Sequence, residues 1–342
     1  MTYAIRVHRY GGPDVLEWER HDPGDPGPGE VRIAHDAVGL NFIDVYHRTG
    51  LYPEPLPFTP GVEGAGVVEA VGAEVSGFAV GDRVAYVGGP VGAYREARRL
   101  PADRAIRLPD SVPSQTAAAL MLRGMTAHVL VHRVYRVQAG DAVLVHAAAG
   151  GMGAVLCEWA ASLGAVVIGT VSSSAKAAFA RSHGCAYPIV TADEDFVART
   201  KEITGGQGVA VVYDAIGKDT LLASIDCLRP LGHLVTYGQS SGAPAPIDVG
   251  LLSRKGSLTV TRPMLFHFIA ARRDLEAAAA AVFRQLAAGH VSVPVPRTYA
   301  LPDVAQAHRD LEGRATTGPA VLLVHTSERH ARLQEKEGPH AP

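Results

Sequence analysis

Cysteine is scarce in this chain. Cys157, Cys185 and Cys227 are the whole complement of 342 residues. They stand far apart, so no C-x-x-C pair, zinc ribbon or disulfide framework can be built from them, which fits a reducing compartment. No apolar run reaches the roughly 18 residues of a membrane-spanning helix. The opening MTYAIRVHRYGG is charged and alternating and lacks the apolar centre of a secretory signal. An excess of charge of one sign is missing too. Lys and Arg number 32 against 34 Asp and Glu, for a net charge of −2. No basic stripe offers a footprint for nucleic acid. Aromatics make up 6%, which suits a protein built on Ala, Gly and Val. There is no G-x-S-x-G string, hence no nucleophile elbow. These absences lead to the expectation of a soluble, cytoplasmic protein whose partners include neither membrane nor nucleic acid.

What is present is an ordinary apolar fraction, 47%, and 37 glycines. At roughly 150 residues per domain the length predicts about two domains, large enough to need no staples. Up to about residue 112, short alternating segments are separated by turn signals. TYAIRVHRY is followed by GGPD, and the loop HDPGDPGPGE precedes VRIAHDAVGL. In GVEGAGVVEAVG the glycines interrupt a strand pattern and mark bulges or close backbone approach. This part predicts a small barrel-like all-β unit. From Pro113 the period changes. SQTAAALMLRGMTAHVLVHRVY reads as a helix behind Ser114. Strands are expected at 142–146, 165–171, 186–190, 209–214 and 233–237. Helices are expected between them at 152–163, 175–183, 193–203 and 220–227. Repeated β-α-β of this kind makes a parallel, doubly wound sheet. A β-rich run follows at 256–261, then an Ala-rich helix at 274–288 and a short helix near 304–311. Thr326–Pro342 is polar and is expected to fray.

The strongest local signal is DAVLVHAAAGGMGAVLCEWAASLGA. An apolar strand runs into Ala148-Ala149-Gly150-Gly151-Met152-Gly153 and then a helix. A dinucleotide pyrophosphate needs close backbone approach and helix N–H groups aimed at it. Gly150 and Gly153 take the places of the second and third glycines of G-x-G-x-x-G, and Ala148 replaces the first. A Gly-rich structural turn would look the same in isolation, but the strand–turn–helix context favours a cofactor. NAD sites carry an acidic residue about 20 positions on, at the ribose 2′-OH. Here no acidic residue lies between Glu158 and Asp193. Ser172, Ser173, Ser174 and Lys176 stand there instead. Hydroxyls and a cation suit a 2′-phosphate, so the cofactor expected is NADPH.

A β-rich first part followed by this segment resembles the medium-chain dehydrogenase/reductase superfamily. Within it, Gly39–Pro53 (GLNFIDVYHRTGLYP), His146–Gly153 (HAAAGGMG), Thr204–Thr220, Gly238–Ala243 and Lys255–Pro263 resemble the zinc-free, zeta-crystallin-type quinone oxidoreductases. The resemblance implies a GroES-like catalytic domain (1–122 and 265–342) and a Rossmann cofactor domain (123–264), with the site in a crevice between them. Zinc-dependent members carry Cys where this chain has Asn41. They carry His at Val62 of Gly61-Val62-Glu63, and a third ligand near Arg123. Asn, Val and Arg cannot rebuild that set, so no zinc is expected. His128, His132 and His146 read as structural or solvated.

Without a Lewis acid the acceptor must need little activation. A quinone, reduced by hydride or single electrons, fits. An enone or enal double bond is the neighbouring alternative. A non-enzymatic NADPH-binding protein, crystallin-like or RNA-binding, is the reading from another class. The resemblance implies Asn41 and Tyr52 as donors to a developing oxyanion and Tyr46 against the nicotinamide or ribose, although Tyr46 and Tyr52 could equally pack the cleft wall. It implies cofactor contacts at Thr126, Gly150, Gly151, Met152, Gly153, Ser172, Ser173, Lys176, Ile216, Gly217, Tyr237, Gly238 and Arg314. Thr191 and Phe268 depart from relatives that carry Tyr. The edge near 256–261 is expected to pair with its copy in a homodimer.

Overall fold

The computed structural model describes residues 2–293, 297–313 and 317–324. These form two compact units, one of 2–119, 297–313 and 320–324, the other of 120–293 and 317–319.

The first unit opens with β1 (Thr2–Arg6), β2 (Glu17–His21), β3 (Glu30–Gly39), β4 (Glu63–Val71), β5 (Arg83–Val87), β6 (Ala97–Pro101) and β7 (Ala105–Arg107). The second contributes β8 (Ala142–Val145), β9 (Val166–Val171), β10 (Tyr187–Val190), β11 (Val209–Asp214), β12 (Leu228–Thr236) and β13 (Thr259–Thr261). The chain then returns to the first unit for β14 (Arg297–Ala300) and β15 (Ala320–Leu323).

In the first unit, β14, β15, β3, β4, β5 and β7 lie side by side, β6 also pairs with β3, and β1 and β2 form a separate ribbon. The strand pattern in VRIAHDAVGL holds: β3 buries alternate residues from Val31 to Ala37 and then Val38 as well, with Val31, Ile33 and Val38 in a core shared with Val68, Val84, Leu100 and Leu322. The glycines of GVEGAG are close approaches. A Cβ on Gly66 would lie 1.9 Å from the Ala34 carbonyl oxygen, so only glycine fits against β3 there.

In the second unit the six strands lie in the order β10-β9-β8-β11-β12-β13, all parallel. Numbered within the unit this is 3-2-1-4-5-6, the order of dinucleotide-binding sheets, whose topological switch point falls between β8 and β11. The fold is therefore a GroES-like β-rich unit and a Rossmann parallel-sheet unit. Leu144, Ile168, Ile189, Val212 and Leu234 line one core of the sheet.

The structure differs from the sequence reading at several points, among them a helix, Phe42–Thr49, inside the part read as all-β. The helix expected from 193 starts at Phe196, because the Asp195 carboxylate accepts from the N–H groups of Val197 and Ala198 at 2.8 and 3.0 Å. The helix expected over 114–135 is α-helical only to Val129 and closes with a π turn over Leu130–Val134. The β-rich run at 256–261 pairs only over Thr259–Thr261, while β12 begins already at Leu228. The stretch 265–293, expected with the β-rich domain, groups with the parallel sheet. Its Ala-rich helix, Arg272–Ala287, packs Val282 against Gly124, where a side chain would lie 2.9 Å from both Val282 methyls. Ser292 is tied down through its N–H and hydroxyl, which donate to the Glu158 carboxylate at 2.8 and 2.6 Å.

Candidate active site

The ends of β9, β8, β11 and β12 stand in a row on the parallel sheet, and each exit holds expected site residues. After β8 come His146 and then Ala147, whose backbone is left-handed (φ 53°). Its carbonyl accepts from Gly150 N–H at 2.8 Å. Gly150 starts the helix Gly151–Ser162 with no side-chain cap. The first-turn N–H groups of a helix have no intrahelical partner and suit an anion. A Cβ on Gly153 would sit 2.2 Å from the Ala147 carbonyl oxygen, and one on Gly151 3.0 Å from Pro319 Cα. Gly153 is thus required by backbone packing, whereas a Cβ on Gly150 would be only tightly placed, 3.2 Å from the same Ala147 carbonyl oxygen. Ala148, in the place of the first glycine, is buried and donates its N–H to the Thr170 carbonyl. The left-handed turn position is Ala147, one residue earlier than the motif suggests.

At the end of β9, Ser172 is exposed and Ser173 caps the helix Ser174–Ser182, its hydroxyl oxygen accepting from Lys176 N–H at 3.4 Å. Ser173 therefore has a folding task besides the one expected, and as an acceptor it keeps its own O–H to donate. Lys176 lies on the first turn, half-buried. Thr191 donates its hydroxyl to the Val171 carbonyl at 3.3 Å, at the close of β10.

After β11, Asp214 is fully buried. One carboxylate oxygen accepts from Ile216 and Gly217 N–H at 2.7 and 3.0 Å, the other from the Thr220 hydroxyl at 2.8 Å. Gly217 is left-handed (φ 90°), and a Cβ there would lie 2.8 Å from Gly242 O. After β12, Tyr237 N–H donates to Asp214 O at 2.8 Å. The Arg262 guanidinium holds the next turn through Gly238 O at 2.8 Å and the Thr236 hydroxyl at 3.0 Å. Thr126, on the helix Ser114–Val129, donates its hydroxyl to Leu122 O at 2.7 Å, so its oxygen is left as an acceptor. Arg314 lies outside the described residues.

In the β-rich unit, Asn41, Tyr46 and Tyr52 fall on one helix, Phe42–Thr49, and its exit. Asn41 begins it. Its N–H donates to Asp44 at 2.9 Å and its side-chain amide to Glu63 at 2.6 Å. Glu63 is fully buried, and Gly39 gives it room, since a Cβ there would lie 2.1 Å from its carboxylate. The rings of Tyr46 and Tyr52 meet edge to face with centroids 5.3 Å apart. Glu63 and Asp214 are the residues sequence reasoning missed. Both sat inside strings quoted for other reasons, and only pairing across the fold reveals their work.

A family described as alcohol dehydrogenase GroES-like domain matches residues 27–110, and one described as zinc-binding dehydrogenase matches 151–283. The quinone oxidoreductase of Pseudomonas aeruginosa is 47% identical, over 94% of this chain and all of its own. The chain belongs to the quinone oxidoreductase branch of the medium-chain dehydrogenase/reductase family. Another member, a 2-haloacrylate reductase from a Burkholderia species, is 46% identical over 94% of this chain and 99% of its own. The solved quinone oxidoreductase of Escherichia coli complexed with NADPH superposes with a TM-score of 0.92 at 43% identity, over 94% of this chain and 100% of that one.

One of those family descriptions names zinc, and the donors expected to hold it do not fit. Asn41 is committed to Glu63, Val62 offers only hydrocarbon, and Arg123 is a cation, whereas zinc takes thiolate, imidazole or carboxylate donors. A medium-chain member with these residues derives no step from zinc at those positions. Among the described residues, three other donors converge within 4.8 Å. They are His8, Glu17 and Glu19, near the β1–β2 ribbon. His146, expected to be structural or solvated, is wholly buried, and burial holds its pKa below the usual histidine value.

Proposed function

We propose that this chain is a cytoplasmic NADPH:quinone oxidoreductase that works without zinc. The observation that carries the reading is the pair of neighbouring exits on the parallel sheet. One is a glycine turn that opens an uncapped helix. The other ends in hydroxyls and Lys176 where an NAD site would hold a carboxylate. Relatives named for quinone reduction, one of them solved with NADPH, support it. Bound there, NADPH would supply the hydride. Gly150, Gly151, Met152 and Gly153 bind the pyrophosphate through backbone N–H groups. Ser172, Ser173 and Lys176 recognise the 2′-phosphate. Thr126, Ile216, Gly217, Tyr237 and Gly238 shape the nicotinamide end, with Arg314 added by resemblance.

In the β-rich unit, Asn41 and Tyr52 donate to the oxyanion that grows on the reduced acceptor. An amide carries two N–H bonds, and Glu63 takes one, which orients the other. Tyr46 packs beside Tyr52 and meets the nicotinamide or ribose. The assembly proposed is a homodimer through β13, an edge strand of its sheet, because an unpaired edge invites a second copy. A monomeric mass in light scattering at micromolar concentration would remove that part. The free, buried state of all three cysteines supports a reducing location.

The deciding assay follows NADPH oxidation with 1,4-benzoquinone, 9,10-phenanthrenequinone and a simple enone side by side, with NADH as control. Turnover on the quinones with NADPH alone is the expected result. Turnover on the enone alone would move the chain to double-bond reduction, a reading supported by the relative named 2-haloacrylate reductase. Tight NADPH binding with no turnover would make it a binding protein.

A further inference from the structure

Between the exit of β8 and the exit of β11 runs a chain of side-chain hydrogen bonds that the proposed chemistry does not use. The Ser224 hydroxyl donates to Thr220 O at 2.8 Å, which spends its one proton. It must therefore accept from His146 Nε2, 2.8 Å away. A neutral imidazole carries a single N–H, so Nδ1 is an acceptor and takes the Thr170 hydroxyl proton at 2.9 Å. The Thr170 oxygen in turn accepts from Ala147 N–H at 3.3 Å, at the left-handed residue of the glycine turn. At the far end the Thr220 hydroxyl donates to Asp214, whose other oxygen holds the Ile216 and Gly217 N–H groups. Every donor along the path points one way, from Ala147 through Thr170, His146 and Ser224 to Thr220. His146 is 0% exposed and Phe196 closes its ring face, edge to face at 5.0 Å. Burial favours the neutral ring that the chain of donors requires.

We propose that His146 is a positioning residue that couples the turn at Ala147–Gly153 to the loop at Asp214–Gly217, so that the pyrophosphate and the nicotinamide end of a bound NADPH meet preset backbone. This rests on the NADPH reading above. Thr170→Val keeps the shape and removes the hydroxyl, Thr170→Ser keeps the hydroxyl, and Ser224→Ala breaks the other link. NADPH dissociation constants are measured by fluorescence at 20 °C, with melting temperatures and steady-state kinetics beside them. Expected is a loss of affinity of about fivefold in Thr170→Val and Ser224→Ala, with kcat at saturating NADPH nearly kept, and recovery in Thr170→Ser. A role in folding alone would lower the melting temperature and leave the affinity of the folded protein untouched, which would overturn the proposal. Equal affinities in all variants would do the same while leaving the cofactor reading intact. A wild-type protein that binds no NADPH would sink both. His146→Gln, which keeps a donor toward Ser224, should lose less affinity than His146→Leu.

Discussion

Gly153 has no room for a side chain, because the Ala147 carbonyl oxygen occupies the place a Cβ would take, 2.2 Å away. Gly153→Ala must push the helix start away from the turn. The expected result is a loss of NADPH affinity of about tenfold or more, read by titration, together with a lower melting temperature. On the reading proposed above, cofactor choice turns on Lys176. Lys176→Ala should raise the KM for NADPH about fivefold and leave that for NADH unchanged, as expected for a partly exposed cation facing a phosphate. An equal effect on both cofactors would remove its assigned role. At this scale the glycine turn was legible as a motif, but its left-handed residue was not. Strain at Ala147 is set by contacts with Thr170 and Gly150, which no string reveals.

Among the elements, the helix Phe42–Thr49 shows how a candidate site residue, Asn41, is held from behind. Asp44 accepts from Asn41 N–H and from the Tyr94 hydroxyl, the latter at 2.7 Å. His308 sits 3.2 Å from Tyr94 on one side and 3.2 Å from Arg48 on the other. Arg48, 1% exposed, makes paired bonds to Glu312 at 2.7 and 3.0 Å. Arg48 and Glu312 are 264 residues apart. Glu312→Ala leaves a buried guanidinium without its carboxylate. Because Glu312 itself is partly exposed, a cost of about 2 kcal/mol is expected, below that of a fully buried pair. Urea denaturation checks it, and a change under about 0.5 kcal/mol would mean the pair is solvated. The helix was marked only by its resemblance string. Its anchoring was invisible because the partners come from the far end of the chain.

For the whole molecule, buried histidines make stability fall toward acid pH. Burial, with Arg48 beside it, pushes His308 down to about 3 from its ordinary value near 6.5, and burial pushes His47 down to about 4. The unfolded chain then takes up protons below about pH 6.5 that the folded protein refuses, so stability falls as pH falls. His308 alone contributes a loss of about 1.4 kcal/mol per pH unit between its unfolded and folded values. Melting temperature should drop from pH 7 to pH 5, and His308→Gln should flatten that slope. A pH-independent melting temperature would contradict the burial argument. The parallel-sheet unit was readable almost strand by strand, because buried parallel strands are continuous apolar runs with helices spaced between them. NADPH choice was readable from a missing carboxylate at a set spacing from the glycine turn. The placement of 265–293 against Gly124, the holding of Asn41 by Glu63, and the link from Ala147 through His146 to Asp214 were decided by tertiary structure alone. Each depends on groups distant in the chain meeting at about 3 Å, where hydrogen bonds and steric contact act and sequence spacing carries no information.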